Sequence, residues 1–190
     1  MKNLFGIIAI MAGFSLLSTF VVPGLEEMLQ TKKAAKHVLK NLKEQNYEAA
    51  FEGIHFYDVA SDLPSTIPYE EGKGIWSERV RSLKENGTYM VDYKNLYVEL
   101  DDTYPVGKVD FVVMINSEEK YIRDVSLWFG YHDRKWGLGN LHHYTEMEQE
   151  EEWEKALSGN LAKTAESEMS RSVFSTGYAF SISVNRINKV

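Results

Sequence analysis

Thr88-Tyr89-Met90-Val91-Asp92-Tyr93-Lys94-Asn95-Leu96-Tyr97-Val98-Glu99-Leu100 is where this chain changes period. Upstream, apolar residues recur every three or four positions; from here onward they alternate, the spacing of a strand with one buried face. The apolar set Tyr89, Val91, Tyr93 and the set Leu96, Val98, Leu100 are out of phase by one residue near Lys94-Asn95. One extra residue returns both sets to a single face, so a β-bulge and a bent sheet are expected there.

Reading downstream, residues 108–116 alternate through Val109, Phe111, Val113 and Ile115, after a turn over 101–107. Residues 120–131 place Tyr121, Val125, Leu127, Phe129 and Tyr131 on one face, with Ile122, Asp124, Ser126 and Trp128 on the other. A turn at His132-Asp133-Arg134-Lys135 leads to a fourth strand over 136–144, whose Gly137 and Gly139 point to strong twist or close backbone approach. Alternation along that strand puts His142 on the Trp136/Leu138 face and His143 on the other.

Reading upstream, Leu25, Met28, Leu29, Ala35, Val38, Leu39 and Leu42 mark one face of a helix over 25–46, acidic at its start (Glu26, Glu27) and basic at its end (Lys40, Lys43). Tyr47–Phe51 reads as a second short helix. Pro64 and Pro68 mark a loop, and a third helix is expected over 74–86, stopped by Asn86-Gly87. About three helices followed by a curved antiparallel sheet of four to five strands is an α+β arrangement.

The residues Ala35-x-x-Val38-Leu39-x-x-Leu42, then Asn46-Tyr47-Glu48-Ala49-Ala50-Phe51, and the late hairpin Asp133-Arg134-Lys135-Trp136-Gly137-Leu138 carry a resemblance. Over residues 34–144 the chain resembles the NTF2-like, cystatin-like group of α+β cone domains, many of them exported bacterial modules. The resemblance implies helices packed inside a curved sheet; it implies no shared catalytic set, and none is carried over.

Leu4 to Val22 is an uncharged apolar run after Met1-Lys2-Asn3, closed by Pro23-Gly24. That length approaches the ~17–25 residues a helix needs to cross a bilayer and exceeds the ~7–15 of a usual signal core. Residues 1–24 are therefore read as a transmembrane anchor or signal segment. The layout favours an extracytoplasmic body on a single-pass anchor, with secretion after cleavage as the alternative. Residues 25–144 form the α+β domain, 145–172 an acidic helical or disordered linker, and 173–190 a C-terminal strand. In the linker Trp153, Leu157, Leu161, Ala165 and Met169 make a thin apolar stripe on a mostly solvated helix. The strand alternates through Phe174, Tyr178, Phe180, Ile182 and Val184, and would pair with this chain's sheet or with a partner or second copy.

The chain has no cysteine, which removes disulfides, thiolate metal sites and a cysteine nucleophile. Its formal charge of -7 disfavours nucleic acid as a partner. Lys32, Lys33, Lys36 and Lys40 read first as a solvated helix face, with lipid headgroups as the functional alternative. Reactive side chains are sparse: His37, His55, His132, His142 and His143, with Asp92, Asp110, Asp124 and Asp133 on or beside strands. No spacing supplies three or four metal ligands, and no cofactor motif is present. For a general base in an apolar pocket the candidates are Asp124, and His142 with Tyr144. For ligand binding they are Tyr93, Trp128, Tyr131 and Trp136. The sequence points to a membrane-anchored or exported, non-enzymatic binding module. The alternatives are a small isomerase- or hydrolase-type enzyme on a cone fold, and an assembly or immunity-type membrane protein using its last strand.

Overall fold

The structure is a computed structural model describing residues 24–61, 63–143 and 151–162. The apolar run 4–22, Tyr144 and the strand expected over 173–190 lie outside the described residues. Among the described residues, no helix is long and apolar enough to cross a membrane.

The fold is α+β: helices α1 (Leu25–Lys43), α2 (Tyr47–Phe51) and α3 (Tyr69–Glu85), strands β1 (Tyr89–Asp101), β2 (Tyr104–Ile115), β3 (Glu118–His132) and β4 (Lys135–His142), then α4 (Glu152–Leu157). The four strands form one antiparallel sheet in the order β1-β2-β3-β4. Helix α1 packs against both β1 and β4, the first and last strands of the meander, so the sheet curls around it. Ala35, Val38, Leu39 and Leu42 on α1 meet Phe51, Trp76, Phe111, Val125, Leu127, Leu138 and Leu141 in one core. Each large side chain fully buried there contributes about 1.5–3 kcal/mol relative to exposure.

The sheet bends because three of its strands carry extra residues. β1 has a register shift between Lys94 and Tyr97, at the expected place, with Asn95 at φ 54. It has a second between Met90 and Asp92, so the buried residue is Met90, and Tyr89 and Val91 are only half-buried. In β3, Ile122 pairs with Phe111 and Val125 with Val109, which leaves Arg123 and Asp124 opposite Asp110 alone. That bulge, with Asp124 at φ 55, corrects the face assignment made by simple alternation. Ile122 is buried with Val125, Leu127 and Phe129, whereas Tyr121 is exposed. β4 carries an extra residue at Gly139, so Leu138 and Leu141 are both buried and His142 alternates with Leu141. The count that set His142 on the Leu138 face holds only without that residue.

Asp110 joins two of these irregularities. Its carboxylate accepts hydrogen bonds from Asn95 Nδ2 at 2.7 Å, Tyr121 Oη at 2.6 Å and the Asp124 backbone N–H at 3.0 Å. The Tyr121 hydroxyl above all holds the Asp110 carboxyl below its ordinary range, aided by the Asp124 amide, Asn95 and nearby Arg123 against a desolvation that opposes them.

Helix α1 stops at Lys43, short of the expected 46, and the largest differences from the periodicity reading are at the starts of two other elements. α3 begins at Tyr69, directly after Pro68, with Glu70 and Glu71 in its first turn. Within the added first turn Gly72 serves close packing, since a Cβ there would sit 2.8 Å from Phe56. β2 begins at Tyr104 because Asp102-Thr103 alone makes the hairpin turn. The other two hairpins turn on Asn116-Ser117 and Asp133-Arg134, all four residues with φ between 50 and 68, as tight primed turns require.

The third difference is the segment expected as a mostly solvated helix. Trp153, Leu157 and Leu161 join the core, Trp153 packing edge-on to Phe111 with ring centres 5.7 Å apart. Glu154 has no exposure. Residues 151–162 therefore act as a strap closing the domain. Arg79 of α3 grips it, donating to the carbonyls of Ala156 (3.0 Å), Asn160 (2.9 Å) and Ser158. The Trp76 indole N–H also donates to Ser158 O at 3.2 Å.

Candidate functional site

The outer edge of β4 is closed by the chain that leaves α2. Leu138 N donates to Gly53 O at 2.8 Å, and His55 N donates to Leu138 O at 2.9 Å, which makes a short parallel bridge. Tyr57 then pairs with the strap, donating to Gly159 O at 3.0 Å and accepting from Leu161 N at 2.8 Å. So close an approach needs bare backbone on the sheet. A methyl group at Gly130 would overlap the His55 ring, and one at Gly137 would lie 2.7 Å from His55 N. The glycines of the β3–β4 hairpin thus make room for His55, whose Nε2 lies 3.0 Å from Ser61 O.

His55 lines two neighbouring hollows. The larger is an open groove of about 810 Å³ between the 52–67 segment, the start of α3 and the β3–β4 hairpin. Phe56, Tyr69 and Trp136 are its aromatic members, and Glu52, Glu70, Asp133, Lys73, Lys135 and His132 its ionisable ones. The smaller hollow, about 140 Å³, is lined by Tyr57, Ser61, Tyr104, Trp128 and Asn140. Trp136 stands between neighbours at ring distances of 5.5 Å to Tyr104 and 5.1 Å to Tyr131. Trp128, Tyr104 and Tyr131 are each about half exposed.

The groove wall is held in place. Phe56 and Tyr69 both pack on the buried Phe51 ring, at 5.1 and 5.4 Å. Asp58 accepts from Ser65 Oγ and Thr66 N, each at 2.8 Å, and from the Thr66 hydroxyl. Desolvation opposes its ionisation, but the bonds from Thr66 and Ser65 together outweigh that and lower its pKa. Burial raises the Tyr69 pKa, helped by Glu52 and Glu70, so its phenol stays protonated at neutral pH. Tyr57 Oη and Asn140 are bonded at 2.7–2.9 Å, and Ser158 Oγ donates to Asn140 Oδ1 at 2.6 Å.

Of the aromatic candidates, Trp128, Tyr131 and Trp136 come together around this site. Tyr93 does not: it lies on β1, half-buried against the core. Asp124 is exposed at the β3 bulge and lines neither hollow. His142 Nδ1 is 3.3 Å from Glu154 Oε1. Both Glu154 oxygens already accept backbone amides, from His143 and Glu151, so this pair anchors the strap. Tyr144 lies outside the described residues. His55, Phe56, Tyr57, Tyr69, Tyr104 and Asn140 were not singled out for this site from sequence; the signal pointing to them is the glycine pattern at 130, 137 and 139, which marks something lying on the strands.

Under the curved sheet the space is filled. The hollow between Leu42, Tyr47, Val80, Phe111 and Trp153 is about 20 Å³, room for roughly one water. Among the described residues no three His, Asp or Glu side chains converge as a metal site would require. The chain matches no protein-family model, no curated protein and no solved structure.

Proposed function

We propose that this chain is a membrane-tethered or exported binding module that takes a peptide segment in the groove beside His55, outside the cytoplasm. The observation that carries the reading is the contrast in free volume: about 810 Å³ in the open groove and about 20 Å³ under the sheet. Small-molecule chemistry on a cone domain needs an interior pocket, and ligand sites run to roughly 300–1,000 Å³. The order of elements, helices first and then a bent meander, supports reading the domain as an NTF2-like cone.

The lining argues for a peptide. A wholly apolar ligand would desolvate the ionisable groups of the lining and offer them no hydrogen bond in return. A polyanion would meet Glu52, Glu70 and Asp133, and a polycation Lys73 and Lys135. A peptide with an apolar side chain and a polar backbone suits aromatic walls interspersed with charges of both signs. The tether rests on the apolar composition of residues 4–22.

The test is selection from a displayed random-peptide library against the full chain and against Trp136→Ala. Enrichment of a common motif that binds the parent and loses at least about tenfold with Trp136→Ala is the expected result, a hot-spot-sized loss. No enrichment, or equal binding to both proteins, refutes the groove. Protease added to intact cells separately tests which side of the membrane holds the body.

A further inference from the structure

Helix α1 has an outward stripe unlike the rest of this acidic protein. At 3.6 residues per turn, Leu25, Leu29, Lys32, Lys33, Lys36, Lys40 and Lys43 fall within an arc of about 100°. Leu25 and Leu29 are 42% and 56% exposed, large fractions for leucines on a helix whose opposite side is core. Lys33, Lys36, Lys40 and Lys43 are exposed and Lys32 partly so. Lys43 pairs with Asp92 at 2.8 Å and Lys40 lies 3.9 Å from Glu44. Among the described residues, Lys32, Lys33 and Lys36 have no carboxylate within 4.0 Å. Glu26, Glu27 and Glu44 fall outside the arc.

The stripe also begins in the right place. Leu25 follows the apolar run by two residues, so it lies within about 10 Å of the run's end. Gly24 has φ 89, a left-handed conformation, and α1 starts directly after it at Leu25. Two leucines and then five lysines, along a helix about 28 Å long, match an amphipathic element lying in the plane of a headgroup layer. The remaining negative charge of the body is screened beyond about 8 Å at physiological salt, so a local stripe can act against it.

We propose that this face of α1 lies on a bilayer containing anionic phospholipid, with Leu25 and Leu29 dipping below the phosphates and Lys32, Lys33 and Lys36 contacting them. The inference rests on the membrane tether proposed above and adds a fixed orientation of the domain on its membrane.

The absence of cysteine makes single-site labelling clean. The full chain, as Leu29→Cys or as Gln30→Cys one residue off the stripe, carries a nitroxide and is reconstituted into phosphatidylcholine vesicles with or without phosphatidylglycerol. The expected result is a label at 29 whose collisions with oxygen rise and whose collisions with a water-soluble nickel chelate fall only with phosphatidylglycerol, while the label at 30 stays in water. Replacing Lys32, Lys33 and Lys36 with glutamine should reverse this, since each lysine at an anionic surface shifts the equilibrium roughly fivefold, about a hundredfold for three. A chain that floats with both vesicles but keeps position 29 in water, or whose label at 29 enters both lipids equally, overturns the stripe and leaves the tether standing. A chain that floats with neither overturns both.

Discussion

Replacing Arg79 with methionine keeps the aliphatic stem and removes the three guanidinium donors that reach the strap. Ser158 O retains the Trp76 indole at 3.2 Å, so two carbonyls, Ala156 and Asn160, lose the guanidinium donors at 3.0 and 2.9 Å. Ala156 is 6% exposed, and water reaches that site poorly. An orphaned buried carbonyl costs about 1–3 kcal/mol, so the variant should lose about 3 kcal/mol. For a domain of this size that corresponds to a melting temperature about 10 °C lower, followed by circular dichroism. Hydrogen exchange should localise the damage: the Gly159 and Leu161 amides, bonded to Gly139 O and Tyr57 O, should lose protection before the sheet does. Arg81→Met is the control. Arg81 sits two residues along the same helix, but its bonds to Glu48 and Glu78 are exposed, so the midpoint should hardly move. If the two variants melt together, or if Gly159 and Leu161 keep their protection in Arg79→Met, residues 151–162 are not clamped as argued.

Asp110→Asn should lower the urea midpoint at pH 7 and flatten the acid limb of the stability curve. The Asp110 pKa is lower folded than unfolded, so its contribution is present above the ordinary value of 3.8 and is lost as pH falls through the folded value. Parent and variant should therefore converge in midpoint below pH 3.8, and a constant difference from pH 7 to that point and beyond would refute the carboxylate's role. Gly130→Ala should drive the His55 ring off the sheet, destabilise by about 1–3 kcal/mol as overpacking does, and break the contact with Ser61 O. The imidazole resonances of His55 report this; unchanged shifts would mean the strand face has more room than the packing shows. Trp153→Ala should cost about 3–5 kcal/mol by chemical denaturation, the cost of emptying a core aromatic site. A loss under about 1 kcal/mol would return residues 151–162 to the status of a surface appendage.

Local pattern determined the elements. The change of period at Thr88, the helical spacing from Ala35 to Leu42 and the phase slip at Lys94-Asn95 each record a contact between a residue and its near neighbours along the chain, which is why α1, the meander and the bulge at Lys94-Asn95 are legible in the order of residues alone. What the tertiary structure decided depends on partners far apart in sequence. The bulges at Asp124 and Gly139 move side chains to the other face without leaving an apolar signature: at Asp124 the stabilising group is a carboxylate on the adjacent strand. The glycines at 137 and 139 warned of close approach, but only the folded chain shows that His55 is what approaches, and that Gly130 makes room for it as well. Trp153, Leu157 and Leu161 looked like a thin stripe amid glutamates, because burial depends on whether another surface offers a matching hole. Arg79, Trp76 and Phe111 offer it from 42 to 82 residues away, a distance over which no periodicity can be read.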